Sequence, residues 1–225
     1  MAYDHEEQEQ LDSLKAFWNQ YGNLLTWVLI ILLGAYAGYN YWRYHQRTQA
    51  AEASELYDKV QTAALAEPAD NAKVLKAATD IESKYGSTAY APMAALLAAK
   101  SAFEANDLKT AKAQLQWAAD HGGDEYKSLA KLRITGILLD EKAYDEALKM
   151  LDGEFLPQYA SAVADRRGDI LVAQNKLEDA RKAYIAALAA MGKSDPGRGL
   201  VQAKLESIGG TAPAKPADAA APAAA

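Results

Sequence analysis

The sequence predicts an all-α protein: an N-terminal single transmembrane helix, then a right-handed superhelix of about four helical hairpins plus a capping helix. Three observations carry that expectation. The stretch YGNLLTWVLIILLGAYAGYNYW, Tyr21–Trp42, is free of charge and has the length of a bilayer crossing. From Ala50 onward apolar residues recur every three or four positions in a chain rich in Ala, Leu, Lys and Glu, with no strand pattern. A short local sequence also returns at intervals of 33 to 36 residues, a spacing at which helix–turn–helix units stack.

The membrane segment comes first. Leu24, Leu25, Val28, Leu29, Ile30, Ile31, Leu32 and Leu33 each favour insertion by about 0.3–0.6 kcal/mol. Trp18, Tyr21 and Trp27 stand near one end, and Tyr36, Tyr39, Tyr41, Trp42 and Tyr44 near the other, as amphipathic rings at two headgroup levels do. A cleaved signal peptide fits poorly. The preceding tail carries Asp4, Glu6, Glu7, Glu9 and Asp12 against Lys15 alone, where a secretory leader is basic. Before the span, Leu11, Leu14, Phe17, Trp18 and Tyr21 recur at helical spacing, predicting an interfacial amphipathic helix that runs into the membrane. Gly34 and Gly38 form a G-x-x-x-G within the span, a candidate face for close approach of another membrane helix. Glycine is also common in membrane helices for blander reasons.

Outside the acidic tail the chain holds 25 acidic and 23 basic residues. That balance argues against a nucleic-acid partner, which wants a concentrated basic surface. Without cysteine, disulfide and thiolate chemistry are excluded. His5, His45 and His121 are too far apart in sequence for metal-ligand spacing, and no cofactor is expected.

Breaks at Glu67-Pro68, Tyr85-Gly86, Asn106-Asp107, His121-Gly122-Gly123, Glu141-Lys142, Gly153, Asn175-Lys176 and Gly192–Gly197 divide the rest into eight helices and a short ninth. Asn106-Asp107-Leu108-x-x-Ala111-x-x-x-Leu115 aligns with Lys142-Ala143-Tyr144-x-x-Ala147-x-x-x-Leu151 and Asn175-Lys176-Leu177-x-x-Ala180-x-x-x-Tyr184; Ala77 and Ile81 form a weaker fourth copy. Small residues Ala99, Thr135 (beside Gly136) and Gly168 stand twelve positions before the later alanines, where the two helices of a unit cross closely. The period is that of tetratricopeptide repeats. The expected domains are an acidic tail (1–20), the transmembrane helix (21–42), a repeat domain (43–208) and a disordered Ala/Pro tail (209–225). The first hairpin, about Ala50–Tyr85, is degenerate and is expected to continue the membrane helix as a stalk.

Such a superhelix binds through its concave groove, lined by the first (A) helix of each unit. Repeat phase assigns Met93, Leu96, Lys100, Phe103, Leu129, Leu132, Arg133, Leu139, Asp165, Asp169 and Val172 to that groove, a largely apolar surface suited to an extended or partly folded polypeptide. About half of its leucines are expected to be inter-helix core instead. Arg167-Gly168-Asp169 spells an adhesion tripeptide, but it falls inside a helix rather than on a loop tip. An Arg133–Asp169 ion pair between successive A helices is expected, with Glu82, Glu104 and Asp140 as solvated face charges. No catalytic constellation emerges: no histidine stands where a general base is needed, and no glycine-rich loop cradles phosphate.

LKAFWNQYGN, a glycine-bearing span ending in YNYWRYHQ, AEASELYDKV, STAYAPMAALLAAKSAFEANDLKTAKAQLQWA, KLRITGILL, YDEALKMLDG and DRRGDILVAQ together resemble the YfgM-like proteins, ancillary subunits of the Sec translocon. The resemblance covers about residues 6–208. It implies a single-pass inner-membrane protein with a cytoplasmic N-terminus and a periplasmic tetratricopeptide-like domain. It also implies association with SecYEG, with the membrane-anchored prolyl isomerase PpiD and with client polypeptides, in translocation and periplasmic chaperoning. No catalytic residue comes with it. A scaffold factor with one dedicated partner is the alternative. The flanking charges lean the other way on topology, since Arg43 and Arg47 follow the span while Lys15 alone precedes it.

Overall fold

The computed structural model describes residues 3–66 and 70–211. Among these residues nine α-helices form and no strand: α1 Tyr3–Ala64, α2 Asn71–Tyr85, α3 Tyr90–Glu104, α4 Leu108–His121, α5 Asp124–Asp140, α6 Tyr144–Leu151, α7 Ala160–Ala173, α8 Leu177–Ala190 and α9 Arg198–Ser207. A 3₁₀ turn at Pro157–Tyr159 precedes α7. The expected breaks separate these helices; the Glu67-Pro68 break and the tail from 212 onward lie outside the described residues. The chain divides into two units, Met1–Ala51 and Glu52–Ala225.

The first unit belongs to α1, which is long and apolar enough to cross a membrane. Its large side chains point outward: Trp27 is 59% exposed and Ile31 65%, a surface that hydrocarbon solvates and water does not. Two polar side chains of the span turn back onto their own helix. Thr26 Oγ1 donates to the Gly22 carbonyl at 2.8 Å and Asn40 Nδ2 to the Tyr36 carbonyl at 3.0 Å, which leaves few unsatisfied groups for lipid. No break separates the amphipathic stretch around Leu14 and Trp18 from the span.

In the second unit, sequence neighbours pack as hairpins, α3 with α4, α5 with α6 and α7 with α8, while α3, α5 and α7 adjoin in succession. The end of α1 supplies the first helix of the first hairpin: Val60 is buried among Val74, Ala78 and Ile81 of α2 and Ala91 of α3. α9 covers the last hairpin, with Val201 and Leu205 packed among Leu171, Tyr184 and Leu188.

The repeat signature has a physical origin at both of its ends. Ala111, Ala147 and Ala180 are fully buried, as are their partners Leu115, Leu151 and Tyr184 to within a few per cent. At each turn between paired helices one residue adopts a left-handed backbone: Asn106 (φ 60°), Lys142 (φ 62°) and Asn175 (φ 59°). The three turns share one hydrogen-bond pattern. Asp107 N–H reaches the Ala102 carbonyl at 2.9 Å, Ala143 N–H the Leu138 carbonyl at 2.8 Å and Lys176 N–H the Leu171 carbonyl at 2.8 Å, the Schellman closure that satisfies a helix's last carbonyls. Asparagine tolerates that conformation, which is why it recurs in the signature.

The small crossing residues are matched in size to what faces them. A Cβ on Gly168 would stand 2.3 Å from the Tyr184 ring. Where the large partner is Leu115 or Leu151, the small residue is Ala99 or Thr135; the bulkier tyrosine requires glycine. The weaker fourth copy is out of phase. Asp70 caps α2 by accepting from Lys73 N–H at 3.0 Å, as Asp107 caps α4 through Thr110 N–H at 3.1 Å. Counting from the cap, Val74 and Ala78 take the places of Ala111 and Leu115, and Ala77 stays partly exposed.

Candidate protein-binding groove

Helix α3 is built largely of alanine on its inner sides; Ala91, Ala94, Ala95, Ala98, Ala99 and Ala102 are all buried. Small side chains let neighbouring backbones close in and leave the longer Lys100 and Phe103, one turn apart, at the surface. On α5, Arg133, Gly136 and Asp140 follow one another at helical spacing on a single face. These residues and Arg166 of α7 line a cavity of about 360 Å³, with Ala99, Leu115 and Ile137 at its floor. The Arg166 guanidinium lies over Gly136, 3.5–3.6 Å from where a Cβ would stand, an ordinary contact distance.

The cavity is apolar below and charged above. Phe103 is 47% exposed. Lys100 reaches Glu104 at 3.6 Å with both side chains largely in water, an exposed pair of little energetic weight. Arg133, Arg166 and Asp140 form no ion pair among the described residues. Three cations and one anion line an open apolar floor, and of the cations only Lys100 has a carboxylate partner, Glu104 outside the lining.

Of the groove residues expected from repeat phase, the cavity brings together Lys100, Phe103 and Arg133. The four leucines go elsewhere. Leu96 belongs to the core, and Leu129, Leu132 and Leu139 pack against it, more than the expected half. Met93 is half-buried on α3. Asp165, Asp169 and Val172 turn toward the chain's end. Val172 packs on the last core cluster, and the two carboxylates close on Lys204 of α9, Asp165 at 2.9 Å and Asp169 at 2.8 Å. The Arg133–Asp169 ion pair therefore does not form: Lys204 and the Tyr184 hydroxyl, which donates to Asp169 at 2.9 Å, already hold that carboxylate. Burial opposes the charge on Lys204, yet its hydrogen bonds to Asp169 and Asp165 win and raise its pKa. Burial and the Asp169 carboxylate likewise push the Tyr184 hydroxyl up.

Arg166 and Ile137 were missed by repeat phase, although Arg166 is the chain neighbour of Asp165 and Gly136 follows Arg133 by one turn. Asp140, expected as a plain face charge, is exposed but stands on the cavity wall. Glu104 is a solvated face charge. Glu82 is not: it is half-buried, its Oε1 has no partner among the described residues, and burial raises its pKa. Gln114 and His121 of α4 stand beside it, and both act to lower that pKa without overcoming the burial. Arg167-Gly168-Asp169 sits inside α7 with Gly168 buried and Arg167 bound to Asp152 at 2.7 Å, a structural use. On α1, nothing lies within 4 Å of where a Cβ on Gly34 or Gly38 would stand, so that helix face is open.

A family model described as a tetratricopeptide repeat-like domain matches residues 15–210. The ancillary SecYEG translocon subunit of Neisseria gonorrhoeae (strain FA 1090) is 31% identical over 209 residues, 92% of this chain and 100% of that one. The ancillary SecYEG translocon subunit of Escherichia coli (strain K12) is 32% identical over 182 residues, 80% of this chain and 86% of that one. That of Haemophilus influenzae (strain Rd) is 31% identical over 190 residues, covering 81% and 92%. No solved structure matches the chain. A repeat-family match over most of the length, joined to relatives of one name that the chain covers nearly end to end, means that it belongs to the family of ancillary SecYEG translocon subunits, proteins of the tetratricopeptide repeat-like class.

Proposed function

We propose that this chain is a single-pass inner-membrane adaptor of the Sec translocon whose repeat domain holds partner or client polypeptides as they enter the periplasm. The observation that carries the reading is the open cavity on α3, α5 and α7, apolar at its floor and with Phe103 exposed at its wall. A polypeptide offers both the apolar side chains and the backbone polar groups such a site takes. The names of the relatives support attachment to SecYEG, and the family resemblance extends the partners to PpiD. In this reading residues 1–20 lie in the cytoplasm, 21–42 cross the membrane and 43–208 bind in the periplasm. The open Gly34/Gly38 face supplies a second contact, which raises the effective concentration at the first. The role is binding, not catalysis.

Photoreactive residues at Phe103 and at Gly38, in separate variants in living cells, test it. Phe103 should crosslink to many secreted chains and to PpiD, and Gly38 to a translocon subunit. A single constant band from Phe103 favours a scaffold with one dedicated partner. Crosslinks from Phe103 to cytosolic chains overturn the topology, and none at all overturns the adaptor role.

A further inference from the structure

We propose that the α3–α5–α7 cavity selects acidic polypeptide segments, seating a carboxylate at Arg133 and Arg166 and a neighbouring apolar side chain against Phe103 and Ile137. The inference rests on the reading of this cavity as a polypeptide site and adds the chemistry of the segment it takes.

Charge complementarity carries it. Several cations between helices of the same domain are met by the chain's own carboxylates: Lys204 by two aspartates, Lys112 by Glu141 at 2.7 Å and Arg167 by Asp152 at 2.7 Å. At the cavity the arginines are not. Arg133 and Arg166 have no carboxylate partner among the described residues, and Lys100 has only a loose, exposed one. The Arg166 guanidinium reaches across to α5 and lies over Gly136. Two guanidinium forks offer planar, paired donors, which match a carboxylate. Asp140 on the same wall disfavours a phosphate dianion or a nucleic-acid backbone, and it can accept from a peptide N–H. The exposed ring of Phe103 and the floor of Leu115 and Ile137 require something apolar beside the charge. At about 360 Å³ the space is near the lower end for ligand sites and admits one or two side chains, hence a short segment rather than a folded domain.

The test uses the full chain in nonionic detergent micelles and a labelled Gly/Ser-framed peptide with the centre Leu-Glu-Phe-Glu, beside the same peptide with Gln for both Glu. Fluorescence anisotropy should show the acidic peptide bound at least about fivefold more tightly, a modest margin because the cations are partly exposed. The margin should shrink in about 0.5 M salt, where screening reaches within a few ångströms. The double variant Arg133→Glu, Arg166→Glu should lose the preference, and Arg166→Gln should reduce it; circular dichroism melts establish that both remain folded. Equal affinity for the two peptides overturns the inference and leaves the polypeptide site standing. If neither peptide binds, the inference is overturned, and crosslinking from Phe103 decides separately whether the site is a polypeptide site at all.

Discussion

Asp165 and Arg166 are neighbours in the chain, and their side chains enter two differently built clusters. Asp165 joins Asp169 and the Tyr184 hydroxyl around Lys204, inside the domain and closed by α9. Arg166 joins Lys100 and Arg133 around an open cavity, with Asp140 on its wall and Glu104 beside Lys100. In one cluster every charged group has a partner from the chain itself, a lysine held between two aspartates, and the cluster seals the end of the repeat stack. The other keeps an excess of positive charge at the surface beside an exposed phenylalanine. A charge cluster whose members are paired within the chain serves the fold; cations left unpaired at an apolar opening are available to a partner. Residue type alone does not separate the two.

Breaking the closed cluster should have the largest effect. Lys204→Glu places three carboxylates together, and removing one partner of a buried pair costs about 3–5 kcal/mol. Lys204 is about a quarter exposed, so a loss nearer 2–3 kcal/mol is expected in urea denaturation. α9 should detach with it, exposing Val201 and Leu205. The pH dependence has a definite sign. The folded pKa of Lys204 lies above its ordinary 10.5, so its contribution is complete below that value and is lost as pH rises through the folded pKa. The Tyr184 hydroxyl, raised from 10.0, acts in the same direction. The parent should therefore lose stability at strongly alkaline pH, and Lys204→Met should show a flatter decline. An equal alkaline decline in both would mean that the cluster is not what holds α9.

Gly168→Ala should come next. In an unobstructed helix the change would stabilise by up to about 1 kcal/mol, but here the new Cβ meets the Tyr184 ring at 2.3 Å. Overpacking costs about 1–3 kcal/mol, so a net loss of about 1–2 kcal/mol is expected. Adding Tyr184→Leu recreates the Ala99/Leu115 pairing and should recover part of the loss, giving a favourable coupling in a double-mutant cycle. Additive effects would show that Gly168 and Tyr184 do not constrain each other.

The smallest effect belongs to the open cluster. Phe103→Ser should change the melting free energy by no more than about 0.5 kcal/mol, because the ring is nearly half exposed. Polypeptide crosslinking from a photoreactive residue at Lys100, on the same cavity, should fall nonetheless. A large loss of stability would instead place Phe103 in the core.

The sequence by itself determined the long apolar helix of membrane-crossing length, since length and absence of charge are properties of a contiguous segment and need no tertiary partner. It determined the helical breaks as well, and the three regular repeats. Asn106 and Asn175 mark left-handed turns, while Ala111, Ala147 and Ala180 mark crossings that are local to one hairpin. Where a hairpin departs from that pattern, as α2 does, the cap at Asp70 set the phase and alanine spacing misled by one turn. The site was legible only in part. Helical phase put Lys100, Phe103 and Arg133 on one surface, because those positions depend on their own helices. Whether Leu129, Leu132 and Leu139 face a groove or the core depends on how closely the next hairpin packs, and that distance is set by side-chain volumes on another helix. The separation of Asp169 from Arg133 was decided in the same way, by Lys204 arriving from 35 residues away. Long-range competition for a carboxylate leaves no periodic trace in a sequence, so tertiary packing alone chose which charges were closed and which were left open.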